Sequence, residues 1–174
     1  GIVLIVDEVM SGFGRTGKLF AHEHAGIAPD IMTVAKALGN GVPIGALGCT
    51  EEVSSGFSPG MHASTFGGNP LCTAAALATL KVMTAPGFLD TVAEKGAYFI
   101  KSLKGLINKH ADIAQVRGIG LMIGVELTRA VGPVIAKMLA SGIICGPAGP
   151  SVIRFVPPLI VTNEQIDRVV ASLD

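Results

Sequence analysis

Ile31-Met32-Thr33-Val34-Ala35-Lys36, with Gly39-Asn40-Gly41 close behind, is an apolar run that ends in an amine at the head of a glycine-rich turn. A run that is apolar throughout, instead of alternating, reads as a strand covered on both faces, and the lysine then ends a buried strand. A second such run, Ile2-Val3-Leu4-Ile5-Val6, leads straight into Asp7-Glu8. An acid and an amine therefore emerge at strand ends of what reads as one sheet. A further apolar run at 44–49 and a loop carrying Gly12, Gly14 and Gly17 complete the pattern of a layered α/β core.

Outward from these strands, Asn69-Pro70 opens an alanine-rich stretch with no breaker before Thr84, which predicts a helix capped by Asn69 with Pro70 in its first turn. Ala85-Pro86-Gly87 stops that helix and redirects the chain, so residues 1–85 and 86–174 are expected to be separate domains. The second begins with an amphipathic helix over 88–109, with Phe88, Leu89, Val92, Phe99, Leu103, Leu106 and Ile107 toward a core. Strands at 113–117 and 121–127 flank Gly118-Ile119-Gly120 as a hairpin. A helix at about 130–140, a strand at 152–156 and a capped helix from Asn163 complete an α+β unit.

Composition narrows the chemistry. Thirteen basic and thirteen acidic residues cancel, and the aromatics are seven Phe, one Tyr and no Trp, so there is no basic, base-stacking surface and no nucleic-acid partner is expected. A small neutral or acidic metabolite is the expected partner. Cys49, Cys72 and Cys145 are odd in number and outside any metal-ligand spacing, which fits free thiols in a reducing compartment and no metal site. No apolar run approaches a membrane span, and residues 1–20 lack signal-peptide architecture, so the expected address is cytoplasmic.

Gly12-Phe13-Gly14-Arg15-Thr16-Gly17 matches the dinucleotide fingerprint letter by letter, but Asp7 to Ser11 separate it from its strand and no long periodic helix follows. Gly12 to Lys18 also matches a phosphate loop until Leu19 replaces the magnesium-binding hydroxyl. A tight active-site or interface loop is the preferred reading. The pair Asp7 and Lys36 carries more. A pyridoxal phosphate enzyme needs an amine to condense with the cofactor aldehyde and a carboxylate to keep the pyridine nitrogen protonated, so that the ring can draw electrons from a carbanion. Asp7 and Lys36 offer those two groups, although a strand-end acid and a turn lysine are also ordinary solvated residues.

Four blocks make the reading specific. Leu4-Ile5-Val6-Asp7-Glu8-Val9 with the Gly12–Gly17 loop resembles the signature of class III aminotransferases, pyridoxal phosphate enzymes of fold type I. So does Pro29-Asp30-Ile31-Met32-Thr33-Val34-Ala35-Lys36-Ala37-Leu38-Gly39. His62-Ala63-Ser64-Thr65-Phe66-Gly67-Gly68-Asn69-Pro70 and Arg154-Phe155-Val156-Pro157-Pro158-Leu159 agree in order and approximate spacing. The resemblance covers essentially the whole chain and is nearest to the acetylornithine and ornithine branch.

It implies that Lys36 is the lysine that carries pyridoxal 5′-phosphate and shuttles the substrate proton, with Asp7 at the ring nitrogen. Val9 is implied to pack on the ring with Met10 beside it, and Thr65 to bond the phosphate across a homodimer interface where active sites are shared; Glu8, grouped with the cofactor-binding residues, is expected to orient the active-site loop, an ordinary strand-end charge being the alternative. Ser64 is implied near substrate and Arg154 on its α-carboxylate, a task suited to a planar bidentate donor. The implied reaction passes the terminal amino group of acetylornithine, or a similar ω-amino donor, to 2-oxoglutarate. Met10 departs from the branch, where glutamine is usual, and leaves a 4-aminobutyrate or other ω-amino acid transaminase as the alternative. From another class, a catalytically silent fragment or dimerisation module remains. The implied architecture is the end of the large, mostly parallel-sheet domain (1–85) plus the small carboxy-terminal domain (86–174), with a preceding half outside this sequence.

Overall fold

The acid strand and the lysine strand pair side by side and in parallel in the structure, a computed structural model that describes residues 1–174. Strand β1 (Ile5–Asp7) lies along β2 (Ile31–Val34) in the register Ile5↔Ile31 to Asp7↔Thr33, and β3 (Ala46–Cys49) joins β2 antiparallel. The order β1-β2-β3 puts the lysine strand in the centre. A short helix α1 (Glu51–Ser54), capped by the Thr50 side chain, follows. Helix α2 (Pro70–Met83) then runs as expected, with Asn69 Oδ1 accepting from the Cys72 N–H at 3.0 Å. It packs on the tight helical turn Lys36–Leu38. Residues Gly1–Gly14 and Lys18–Leu89 form the first of two compact units, with a core of Phe13, Val34, Leu38, Cys72, Ala76 and Met83.

Runs as apolar as these are expected to be covered on both faces, yet Ile2 is 98% exposed, Ile5 60% and Leu47 52%. No element of residues 1–174 lies over these side chains, which stand before β1, on β1 and on β3. The first strand is also shorter than the apolar run: only Ile5–Asp7 finds ladder partners, while Leu4 is held by its N–H on Asp30 Oδ2 at 2.7 Å.

The second unit comprises Arg15–Gly17 and Asp90–Asp174. Its sheet, in order β4-β5-β7-β6, is antiparallel throughout: β4 (Ile113–Ile119), β5 (Met122–Leu127), β6 (Gly146–Pro147) and β7 (Val152–Phe155). Helix α3 (Phe88–Lys104) supplies Val92, Phe99 and Leu103 to the core, and it stops short of the expected residue 109 because Gly105 turns the chain. Helices α4 (Gly132–Ala140) and α5 (Asn163–Leu173) add Met138 and Ile166, both fully buried. Thr162 and Gln165 cap α5 reciprocally, each side chain bonding the other's backbone N–H. Arg117 and Glu126 form an ion pair across β4 and β5 that braces the hairpin.

Between α3 and the β4–β5 turn the backbones meet closely. A Cβ on Gly96 would come within 2.3 Å of the Gly120 carbonyl oxygen, and Gly120 itself takes φ +55. The tripeptide Arg15-Thr16-Gly17 threads the same place: the Leu121 N–H donates to the Arg15 carbonyl at 2.9 Å. The half-buried Arg15 guanidinium donates from one nitrogen to the Leu121 and Pro157 carbonyls at 3.1 and 2.6 Å. Burial lowers the guanidinium's pKa from its ordinary value.

Candidate active site

Parallel pairing has a direct chemical consequence: the carboxyl ends of β1 and β2 point the same way, so Asp7 and Lys36 leave the sheet at one edge. Asp7 is paired with Thr33, and Lys36 follows three residues later, after β2 has ended. Ligands of open α/β sheets bind at the carboxyl ends of strands. Asp7 is exposed, and its Oδ1 accepts from the Val9 N–H at 2.8 Å. Lys36 is exposed as well and holds φ +44, the left-handed region that a residue with a Cβ rarely adopts. Its carbonyl oxygen accepts from the N–H groups of Gly39 and Asn40, which fixes the turn under the side chain. Such conformations cost on the order of 1–3 kcal/mol and collect at functional sites.

The residues after Asp7 form a loop held from inside. Glu8 is 0% exposed. Its Oε2 accepts from the Ser11 hydroxyl at 2.6 Å; its Oε1 accepts from the His22 N–H at 2.8 Å and lies 3.1 Å from His22 Nδ1. Burial by itself pushes the Glu8 carboxyl up, but these bonds, with one from the Ala21 backbone, outweigh it and leave the group below its ordinary value. Both its oxygens are turned into the loop. Nothing in the sequence pairs His22 with another residue, yet it bonds Glu8 through both backbone and ring and stacks on Phe20 at 5.7 Å. Phe13 of the glycine loop takes φ +52 and buries its ring against Phe20. Val9 and Met10 are half-buried in the same loop.

Ser64 and Thr65 sit in an exposed segment without helix or strand, just before α2. The Ser64 hydroxyl accepts from the Gly67 N–H at 2.9 Å and so shapes its own turn. Thr65 is exposed, and Phe66 beside it is 80% exposed.

Arg154 lies in the second unit, on β7. Its register partners are Gly124 on β5 and Gly146 on β6, so both flanking strands are bare beside it. It lines a cleft of about 360 Å³ with Phe99, Ile143, Phe155, Val161 and Ile166. Its Nε is buried and has no hydrogen-bond partner in the chain. A guanidinium N–H left unpaired in an apolar wall is costly unless an anion arrives to accept from it. The sequence singles out Arg154 because its strand is otherwise apolar; the two glycines that clear space around it are visible only in the strand register.

The whole chain, residues 1–174, matches the family Aminotransferase class-III. It is 51% identical over 173 residues to an acetylornithine aminotransferase of Methanocaldococcus jannaschii, covering 99% of this chain and 44% of that protein. It is 47% identical to an acetylornithine aminotransferase of Bacillus subtilis, covering 98% and 44% respectively. Among solved structures, the ornithine aminotransferase of Toxoplasma gondii superposes with a TM-score of 0.92 at 37% identity, over 99% of this chain and 42% of that one. The chain thus spans less than half the length of the curated relatives it matches. Its mixed parallel and antiparallel α/β fold is that of this group of enzymes.

Proposed function

Because the chain belongs to the class-III aminotransferase family, whose enzymes depend on pyridoxal 5′-phosphate, we propose that it works as part of a transaminase that moves the terminal amino group of acetylornithine, or a similar ω-amino compound, to 2-oxoglutarate. The observation that carries this reading is the shared exit of Asp7 and Lys36 from neighbouring parallel strands, with Lys36 on a strained, pinned backbone. The residues present fit the cofactor and its substrate: an amine and a carboxylate leave one sheet edge, and a partnerless buried guanidinium nitrogen awaits an anion. When bound, the cofactor supplies an electron sink for a carbanion next to nitrogen.

The chain's own residues do the rest. Asp7, oriented by the Val9 N–H, holds a proton at the ring nitrogen. Lys36 Nζ would hold the cofactor and, as a free amine, would accept and return the proton of the reacting carbon. Val9 and Met10 would border the ring. Arg154 receives the substrate carboxylate in a bidentate pair. Thr65 and Ser64 lie on an exposed segment suited to serve the active site of a second copy. Identity near one half to acetylornithine aminotransferases supports the donor. A cytoplasmic address accords with this metabolic role, and no single helix is long and apolar enough to cross a membrane.

Reduction with borohydride in the presence of pyridoxal phosphate, followed by peptide mapping, tests the centre of the proposal. The expected result is one adduct, on Lys36, lost in Lys36→Ala; labelling scattered over surface lysines would overturn it. Met10 favours a second reading, a 4-aminobutyrate or other ω-amino acid transaminase, because a thioether cannot donate the hydrogen bond that a glutamine would. Rates with acetylornithine, ornithine, 4-aminobutyrate and β-alanine separate the two.

A further inference from the structure

Asp7 and Glu8 are adjacent carboxylates with opposite fates, one exposed and one sealed, and both oxygens of the sealed one are taken up inside its own loop. We infer that Glu8 is a positioning residue: it holds the loop 9–22 in the one path that presents the Val9 N–H to the Asp7 carboxylate. The inference rests on the proposed role of Asp7.

The geometry runs outward from Glu8. Its N–H donates to the Thr33 carbonyl at 2.9 Å, which prolongs the β1–β2 ladder by one residue and fixes the Glu8 backbone. Alternation along an extended strand then sends neighbouring side chains to opposite faces, Asp7 out and Glu8 in. Inside, the carboxylate closes two nested rings, a short one to the Ser11 hydroxyl and a long one to the backbone and ring of His22. The Gly12 N–H adds a third tie, to the Glu8 carbonyl at 3.0 Å. Val9 lies inside the short ring, so the direction of its N–H is set by the bonds at Ser11 and Gly12. That N–H is what fixes the exposed Asp7 side chain, through the 2.8 Å bond to Oδ1. Without it, an exposed carboxylate samples several rotamers. A buried carboxylate is expensive to keep unless fully bonded, and an apolar residue could fill the same volume. A positional task for the loop accounts for its presence.

The test uses the full chain and two variants, Glu8→Gln, which keeps shape but converts one acceptor to a donor, and Ser11→Ala, which removes one donor from the short ring. Amide hydrogen exchange is read by NMR, and the visible circular dichroism of added pyridoxal phosphate is read beside it. Expected are at least tenfold faster exchange at Val9 in Glu8→Gln, a smaller increase in Ser11→Ala, unchanged protection at Met32 and Thr33, and a cofactor dichroism weakened as in Asp7→Asn. Unchanged exchange at Val9, or equal loosening of Met32 and Thr33, overturns the inference, the latter because it marks a purely structural part. If Asp7→Asn weakens the dichroism and Glu8→Gln does not, the inference fails and the proposed function stands. If Asp7→Asn itself leaves the cofactor signal intact, the role of Asp7 fails with it.

Discussion

Replacing Gly96 by alanine reverses the usual sign of that substitution. In a helix interior Ala is more favourable than Gly by about 0.8–1.0 kcal/mol, and Gly96 sits in the middle of α3. A Cβ there would lie 2.3, 2.4 and 2.5 Å from the carbonyl oxygen, carbonyl carbon and Cα of Gly120. These are backbone atoms of a turn already confined on its other side, where a Cβ on Gly120 would meet the Thr16 carbonyl carbon at 2.4 Å. The helix must move away, and overpacking of this kind costs roughly 1–3 kcal/mol. With backbone on both sides the upper part of that range applies, so the net expectation is a loss of about 1–2 kcal/mol after the helix-propensity gain is subtracted. Urea unfolding followed by far-ultraviolet circular dichroism measures it, with Ala97→Gly on the exposed face of the same helix as the propensity control. A Gly96→Ala chain as stable as the parent, or more stable, would show that α3 and the β4–β5 turn do not approach as described.

Thr162→Ala removes the side-chain acceptor of the Gln165 N–H and is expected to lower stability by about 1 kcal/mol, read as a shift in urea midpoint at constant slope. Glu8, held below its ordinary value near 4.5 by its bonds, stabilises the folded chain fully above that pH, and the contribution is lost as pH falls through the lowered value. Glu8→Gln should therefore flatten the acid limb of a stability-against-pH curve below about 4.5, while an unchanged limb would assign the acid sensitivity elsewhere. Under the proposed transamination, Arg154→Ala is expected to raise KM for both carboxylate substrates well beyond any change in kcat; unaltered KM values would remove Arg154 from the proposed substrate site.

Periodicity and punctuation carry most of the architecture. Asn69-Pro70 and the glycines of 118–120 announce their elements because caps and turns are written in local residue types: α2 and α5 start where expected, while β4 runs on through Gly118 and Ile119 and the hairpin turns at Gly120-Leu121. Asp7 and Lys36 are legible for a similar reason: each closes an apolar run. What local signals cannot express is tertiary. Whether an apolar run is covered depends on which elements lie over it, and none within residues 1–174 covers Ile2 or Ile5. The Glu8–His22 clamp joins residues 14 apart by a side-chain bond, and Arg15 reaches carbonyls 106 and 142 residues away. No periodicity or local residue type marks both ends of such contacts. The short β6 strand, two residues long and carrying a proline, offers no periodicity at all.

The place of Arg15-Thr16-Gly17 bears on how the chain can be divided. A gene cut at Pro86-Gly87, the obvious seam, releases a piece that lacks three residues of its own second unit. That piece would carry an open slot beside Gly120, with the Leu121 N–H and the Pro157 carbonyl stripped of their partners. Dissection or circular permutation of this protein therefore has to treat the glycine loop as shared property, because one unit supplies its ends and the other contains its middle.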